Sequence, residues 1–266
     1  MESIITFTYP HDTKSISVTD QQCEQNCAHC GGHYLKSMLP ISVMQVSSAT
    51  SFLISGGCKA DGTVPIGQHV AELKALKQGR RYNLHVGLMD EVEIREIADI
   101  ADWVSFDFVG DDDTIRDVFG LERTVGDYVH CYKELRQQVK VMPHICVGLH
   151  GGEIRGEYHA VELLQQLGMD GLTFIIFTPT RGTRYANCLP PKIEEVVELL
   201  KWARKSCPLV PIHLGCMRPG GRYRNEIDQW AVKIGLNRIV NPTPNAVALA
   251  KEMGIKIMRG EECCVF

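Results

Sequence analysis

The sequence predicts an α/β protein built on one barrel-like parallel sheet. Short β-branched segments alternate with amphipathic helical segments from about Lys14 to Met253, the order expected when parallel strands are joined by crossover helices. About eight such units close a (β/α)8 TIM barrel, and the chain has the usual length of one, 266 residues. The predicted strands are 15–18, 51–55, 82–87, 103–108, 139–148, 171–178, 211–215 and 238–240.

The segments between these strands carry apolar residues three and four positions apart, which is the spacing of one buried helix face. No linker rich in Ser, Gly or Pro divides the chain, so we predict a single domain over residues 1–266, ending in a cysteine-containing tail at about 255–266. An open doubly wound sheet is the alternative fold. The apolar repeats are Val70, Leu73 and Leu76; Val161, Leu164 and Leu167; and Val196, Leu199, Leu200 and Ala203.

Charge and cysteine content narrow the class of protein. Lys and Arg total 28 against 32 Asp and Glu, a net charge of -4, so there is no global attraction to nucleic acid or anionic lipid, and we expect neither as a partner. The 11 cysteines are an odd number, and the first residues lack a secretory pattern. We therefore predict a cytoplasmic protein with reduced thiols.

Three of the cysteines form a short motif directly after the first predicted strand. Cys23, Cys27 and Cys30 have the spacing C-x-x-x-C-x-x-C. Three thiolates on one loop hold three irons of a cubane cluster and leave the fourth iron open to a ligand, whereas closed electron carriers generally use four cysteines. The alternative is a zinc site completed by His29 or His33.

This motif resembles that of the radical S-adenosylmethionine superfamily, which carries the same spacing in the loop after the first barrel strand. The resemblance implies a complete or near-complete radical S-adenosylmethionine barrel, a 4Fe–4S cluster on Cys23, Cys27 and Cys30 as the catalytic residues, and S-adenosylmethionine chelated by the open iron. It also implies a 5′-deoxyadenosyl radical that abstracts hydrogen from the substrate. His29 occupies the position that is usually aromatic and packs near the adenine in the family.

Later strand ends extend the resemblance. Gly56 and Gly57 follow the second strand, where the family usually has a Gly-Gly-Glu-like turn for the methionine amino group; here Cys58 replaces the acid. The resemblance assigns Asp107 to the ribose or methionine, with helix capping as its alternative role. It places the glycine-rich stretch from Gly148 to Glu153 along the adenine, and residues 179–184 are similar to the P-x-x-G-T-P stretch of biotin and lipoyl synthases.

The remaining cysteines raise the prospect of a second cluster. Cys58 and Cys216 follow predicted strands, and Cys263 and Cys264 are adjacent in the tail. We predict that these four ligate an auxiliary iron–sulfur cluster, with the tail folded over the barrel mouth and Cys146 as an alternate ligand. A flexible tail with incidental thiols is the other interpretation. Cys131 and Cys207, within predicted helices, are expected to pack as small hydrophobes.

In its details the chain is most similar to the biotin synthase and lipoyl synthase branch, and to its two-protein lipoyl synthase type. That resemblance implies a sulfurtransferase of lipoate biosynthesis, in which an auxiliary cluster donates sulfur to a protein-bound octanoyl chain. It implies an octanoylated lipoyl carrier protein or peptide, a reductant such as ferredoxin or flavodoxin, and a possible second radical subunit as partners. Arg218, Arg222 and Arg224 form either a basic docking patch or a solvated loop.

Two other functions remain open. One is a radical S-adenosylmethionine enzyme of the biotin synthase-like group that abstracts hydrogen for the maturation of another cofactor. The other, from a different class, is a non-catalytic subunit that binds an iron–sulfur cluster or zinc.

Overall fold

A curled sheet of parallel strands forms the centre of the fold. The computed structural model describes residues 3–266, and within that range the sheet has eleven strands, each parallel to its neighbours. The strands are β1 (Ile4–Thr8), β2 (Thr13–Ser17), β3 (Leu39–Pro40), β4 (Ser51–Ser55), β5 (Arg81–Val86), β6 (Trp103–Asp107), β7 (Val141–Val147), β8 (Leu172–Ile176), β9 (Ile212–Leu214), β10 (Arg238–Val240) and β11 (Lys256–Gly260). Their order is β11-β1-β10-β9-β8-β7-β6-β5-β4-β2-β3.

Helices connect the strands and cover the outer face of the sheet, as parallel pairing requires. In the described part of the chain they are α1 (Val70–Lys77), α2 (Glu91–Ala98), α3 (Asp112–Thr114), α4 (Val125–Gln138), α5 (Glu157–Leu167), α6 (Ile193–Ser206), α7 (Gly221–Ile234) and α8 (Pro244–Glu252). Among residues 3–266 no helix has the length and apolar character needed to cross a membrane.

The predicted α/β class with a barrel-like parallel sheet is confirmed, with additions at both edges. The eight predicted strands correspond to β2 and to β4 through β10. The additional strands are β1, β3 and β11. Because β1 pairs with β10 on one side and β11 on the other, the sheet extends past the eighth strand and curls as a half-barrel. An unpaired strand edge offers free backbone N–H and C=O groups, which these extra strands satisfy.

The apolar core lies between the sheet and the helices. Phe52, Tyr82, Phe106 and Phe174 point outward from alternate strand positions and are fully buried. Removing such side chains from water stabilises the fold by about 1.5–3 kcal/mol each. The opposite face of the same strands lines the lumen of the curled sheet. Since strand side chains alternate between faces, the residues next to these aromatic ones define the lumen.

The last residues do not cover the mouth of the barrel, so the prediction for the tail is wrong in its location. Five residues of the predicted tail, Lys256–Gly260, form the strand β11. Residues 261–266 then pass beneath the amino ends of the strands: the Cys263 amide donates to Thr13 Oγ1 (2.7 Å), and Arg238 donates to the Phe266 carbonyl oxygen (2.6 Å). Thr13 and Arg238 are the first residues of β2 and β10. These two anchors fix the tail at the floor of the lumen.

Arg218 is a structural residue and not part of a docking patch. Its guanidinium is completely buried and forms a bidentate ion pair with Asp228, with distances of 2.6 Å (Nε to Oδ1) and 3.0 Å (Nη2 to Oδ2). It also donates to the Val240 carbonyl oxygen (2.9 Å). The pair ties the loop after β9 to α7 and to the end of β10. Of the three predicted arginines, Arg222 is exposed, whereas Arg224 is partly buried and donates to a backbone carbonyl.

Candidate functional site

The cysteine motif forms a compact loop at the carboxyl end of β2. The ligand atoms of Cys27, His29 and Cys30 all lie within 4.8 Å of one another. Two backbone hydrogen bonds to the Cys27 carbonyl oxygen, from Cys30 (3.3 Å) and Gly31 (2.9 Å), close the turn that brings them together. Cys27 is buried, while Cys23 and Cys30 are partly exposed. Parallel α/β sheets bind ligands at this end of their strands.

The end of β4 packs directly against this loop. A Cβ atom added to Gly57 would lie 1.9 Å from the Gln22 carbonyl oxygen and 2.7 Å from Cys23 Cα. The Gly57 amide donates to Thr19 Oγ1 (2.7 Å), and this hydroxyl donates in turn to Gln22 (3.0 Å). Gly57 is therefore required by space, because only a residue without a side chain permits this approach. Gly56 is less tightly enclosed, with its nearest contacts at 3.0–3.1 Å.

The electrostatics of the loop favour one ionised thiol. A hydrogen bond from Cys27 and the neighbouring His29 lower the pKa of Cys30 to about 4, against the effect of burial. His29 packs edge-on against Phe119, with ring centroids 5.7 Å apart. Its Nδ1 atom is buried and has no hydrogen-bond partner in the described structure. A thiolate among three cysteines, beside an unpartnered imidazole nitrogen, fits a thiophilic metal group.

The donor set fits either an iron–sulfur cluster or zinc. Cys23, Cys27 and Cys30 are the ligands that a site-open cluster needs. The grouping of His29 with Cys27 and Cys30 also keeps the zinc alternative open. His33 is exposed and its ring packs edge-on against Tyr34. His29 is therefore the histidine that would complete a zinc site.

Asp107 lies at the carboxyl end of β6 and faces the lumen. His85 Nε2 on β5 is 3.3 Å from Asp107 Oδ1. Burial raises the pKa of Asp107, but His85 and then His144 and His29 outweigh it and lower the value to about 2. Asp107 is therefore ionised, and it is near His29. The side chain is half-exposed to the open lumen. Asp107 is the last residue of β6 and does not cap a helix, since the N-cap carboxylate of α3 is Asp111.

The glycine-rich stretch after β7 is held by a buried carboxylate that sequence reasoning missed. Glu157 is 6% exposed, and its two oxygens accept from the amides of Gly148 (2.6 Å) and Arg155 (2.7 Å). Gly148 has φ +73°, a conformation that favours glycine. Glu153, the predicted residue, is exposed and in an isolated bridge with His150. Glu157, four positions after Glu153, could be read from the sequence as an acidic residue, but its burial could not.

The four cysteines proposed for the second cluster are not gathered at one place. The Cys58 carbonyl oxygen accepts from the Glu24 amide (2.9 Å), which places Cys58 beside the first motif. Cys263 and Cys264 lie at the floor, where Asn83 Nδ2 is 3.3 Å from Cys263 Sγ. The length of strand β4 separates Cys58, at the carboxyl end, from the tail cysteines at the floor, since each residue of a strand adds about 3.3 Å along its axis. Cys58 therefore lies with the first motif, and we group it with that motif rather than with the tail cysteines.

Cys216 is the remaining member of that set. Cys216 is exposed, and partial loss of hydration beside the protein and the neighbouring Cys263 raise its pKa. Cys216 contributes in turn to the raised pKa of Cys264, where Cys263 and burial act most strongly. Burial also raises the pKa of Tyr34, and the thiols of Cys146, Cys30 and Cys216 raise it further. Cys216 follows the carboxyl end of β9, and Cys146 is the penultimate residue of β7, two positions after His144 and on the same face of the strand.

The lumen itself is polar, which the sequence analysis did not anticipate. His85, His144 and His213 occupy lumen-facing positions of β5, β7 and β9. The rings of His85 and His144 stack at 5.7 Å. Burial lowers the pKa of His144 to about 4 and that of His213 to about 3, so both are neutral at pH 7. The alternation of polar and apolar residues within the predicted strands could have predicted this polar lumen from the sequence.

Solved structures share this fold at low sequence identity. Methylornithine synthase matches with a TM-score of 0.66 at 14% identity, covering 97% of this chain and 84% of that one. HMG-CoA lyase from Brucella melitensis matches at 0.61 and 11%, covering 97% and 93%. Streptococcus suis SuiB bound to S-adenosylmethionine matches at 0.56 and 12%, covering 82% and 52%. No protein family profile and no curated protein sequence matches the chain.

Of these structures, SuiB is bound to S-adenosylmethionine. The similarity establishes a common fold, and an HMG-CoA lyase shares that fold too. The reaction must therefore be argued from the residues of the site.

Proposed function

We propose that this chain is a radical S-adenosylmethionine enzyme that abstracts hydrogen from a substrate in the lumen. The observation that carries the proposal is the three-cysteine loop at the carboxyl end of a parallel barrel-like sheet, packed without a gap against Gly57. The S-adenosylmethionine-bound SuiB structure with the same fold supports it.

Cys23, Cys27 and Cys30 would hold a 4Fe–4S cluster, with Cys30 already disposed to ionise. When bound, the cluster and S-adenosylmethionine supply one-electron cleavage of a sulfonium bond and a carbon radical that removes hydrogen. Gly57 allows β4 to pack against the cysteine loop, and Gly56, which is partly exposed beside it, is the backbone that we propose for ligand contact. Glu157 holds the Gly148 turn in place. Asp107 offers an ionised carboxylate for ligand hydroxyl or amino groups, and His29 offers its unpartnered Nδ1.

The decisive experiment compares two cysteine variants after anaerobic reconstitution with iron and sulfide. Cys30→Ala removes a cluster ligand, so reduced protein with S-adenosylmethionine should form no 5′-deoxyadenosine. Cys131→Ala is the matched control, because that thiol is buried in α4 and burial raises its pKa to about 12. It should retain both iron and product. Wild-type product formation by Cys30→Ala, or a protein that takes up zinc in place of iron, would contradict the proposal.

Sulfur insertion is the narrower candidate, favoured by the three thiols of Cys216, Cys263 and Cys264. An interaction with Cys264 lowers the pKa of Cys263 to about 6, against the effect of burial, so one thiolate is available at the floor. We propose these three as ligands of an auxiliary iron–sulfur cluster that would donate sulfur. Octanoyl-protein as the acceptor rests on resemblance to lipoyl synthases, and the largely polar lumen offers an alkyl chain little apolar contact.

Iron content separates the two candidates. One cluster gives about four irons per chain, and two cubane clusters give about eight. Cys263→Ala should leave 5′-deoxyadenosine formation intact while removing iron from the second site and any thiolated product. If Cys263→Ala binds as much iron as the wild type and still yields thiolated product, the tail cysteine is not a ligand. Mass spectrometry of an octanoyl-lysine peptide provides the product readout.

A further inference from the structure

A single turn of π-helix follows β6 and α3 and reaches the cysteine loop. It consists of Ile115–Phe119, is called the π-turn below, and ends at Gly120, which has φ +70°. Turns of this kind are uncommon and recur at functional sites. The last carbonyl oxygens of a helix have no partner within it. Those of Asp117 and Val118 accept instead from other segments of the chain.

The backbone of Ala28, in the middle of the cysteine loop, is held from two sides. Ala28 lies between Cys27 and His29 and is completely buried. Its amide donates to the Val118 carbonyl oxygen (2.7 Å), and its own carbonyl oxygen accepts from the Tyr185 amide (3.0 Å). Two segments that are distant in sequence, the π-turn and the segment after β8, therefore fix the loop between two of its cysteines.

Arg184 connects those two segments directly. Its Nη2 atom donates to the Asp117 carbonyl oxygen (2.9 Å) and, at 3.4 Å, to the Val118 carbonyl oxygen. The Val118 oxygen thus accepts from both Arg184 and Ala28. The contacts close on themselves, because Arg184 binds the π-turn, the π-turn binds Ala28, and Ala28 binds Tyr185, the residue next to Arg184. Members of such a hydrogen-bond network depend on one another.

The π-turn also restricts the ring of His29. Phe119, the last residue of the π-turn, packs edge-on against His29, with ring centroids 5.7 Å apart and an angle of 90° between the rings. Edge-on pairs of this kind have a preferred geometry. Because His29 Nδ1 has no hydrogen-bond partner in the described structure, no polar contact at that atom fixes its direction. The direction of Nδ1 therefore depends on where the π-turn holds Phe119.

We propose that Arg184 is a positioning residue, which acts through the π-turn to hold Ala28 and His29 in the geometry that ligand binding needs. This inference rests on the proposed function, in which His29 offers its Nδ1 atom to the ligand. Arg184 is exposed, so its removal leaves neither a buried charge nor a cavity. The three cysteines and the contact with Gly57 remain in place without it, so the loop keeps its metal ligands.

Hydrogen exchange tests these contacts without radical chemistry. Exchange at the Ala28 amide of the full-length protein is measured by mass spectrometry with fragmentation to single residues. Arg184→Ala should speed this exchange about tenfold, because the carbonyl oxygen that holds the amide is no longer restrained. Arg184→Lys, which keeps a cationic donor, should restore most of the protection. Arg181→Ala is the matched control, because it removes an exposed arginine of the same segment, and it should leave the rate unchanged.

Ligand affinity tests whether the effect reaches His29. Iron-loaded protein without reductant is dialysed to equilibrium against S-adenosylmethionine. Arg184→Ala and Phe119→Leu should each weaken binding about tenfold, which corresponds to about 1.4 kcal/mol. Iron content and unfolding temperature of Arg184→Ala should equal those of the wild type. Because both changes act on the same imidazole, the double variant should bind no more weakly than Phe119→Leu alone.

Unchanged exchange at Ala28 in Arg184→Ala, or losses of affinity that simply add in the double variant, would overturn the inference. A lower iron content and unfolding temperature that Arg184→Lys does not restore would also overturn it, because Arg184 would then serve the fold in general. Failure of the proposed function would appear separately, as a wild-type protein that takes up no iron or forms no 5′-deoxyadenosine with reductant. The exchange experiment gives its result in either case.

Discussion

Gly57→Ala tests whether the contact between β4 and the cysteine loop holds the metal ligands in place. The added methyl carbon would lie 1.9 Å from the Gln22 carbonyl oxygen, whereas contacts shorter than 3.0 Å are essentially never observed for a real Cβ and 3.4 Å is ordinary. The loop must therefore move by about 1.1–1.5 Å, the difference between these distances. Cys23, whose Cα would be 2.7 Å away, moves with it.

Such a displacement should reduce cluster assembly and activity together. A misplacement of about 1 Å in a reacting site costs on the order of 100-fold in rate. We expect iron per chain to fall and 5′-deoxyadenosine formation to decrease by about that factor. Gly220→Ala is the control, because nothing lies within 4 Å of its added Cβ and its φ of -81° suits alanine. Wild-type iron content and rate in Gly57→Ala would refute the packing argument.

Three further changes test the supporting structure. Asp228→Asn leaves the buried guanidinium of Arg218 without its counter-charge, so urea denaturation should show a loss of about 3–5 kcal/mol; a loss below about 1 kcal/mol would contradict this. His85→Gln removes a group whose folded pKa is raised, so its destabilising effect should be largest near pH 5 and shrink by about pH 8. Thermal unfolding across that range checks the sign, and an effect that grows with pH would exclude the ion pair with Asp107. Glu157→Gln loses one of two backbone acceptors and should weaken S-adenosylmethionine binding about tenfold in equilibrium dialysis; unchanged affinity would show that the turn does not depend on it.

Local sequence patterns predicted most of the sheet but not its edges. The runs that became β4 and β10 were found at their observed bounds, because alternation and flanking turns are local signals. Strand β11 is short and partly exposed, and it forms because β1 offers it an edge. The pairing of residues at opposite ends of the chain leaves no mark in either segment alone.

The same distinction applies to the site. The cysteine spacing identified the loop, because its ligands lie within eight residues of one another. The position of Cys263 depends instead on Thr13 and Asn83, which are 250 and 180 residues away. Arg218 looked like a surface charge until Asp228 was placed against it. Sequence reasoning thus predicted the local chemistry, while tertiary packing decided which charges and thiols were buried together.

The most direct test of the central claim is electron paramagnetic resonance of the reconstituted, reduced protein before and after addition of S-adenosylmethionine. An open iron on the loop of Cys23, Cys27 and Cys30 predicts a reduced-cluster signal that changes shape when the amino acid end of S-adenosylmethionine coordinates it. An unchanged signal, or a protein that binds zinc and gives no iron signal, would contradict the claim.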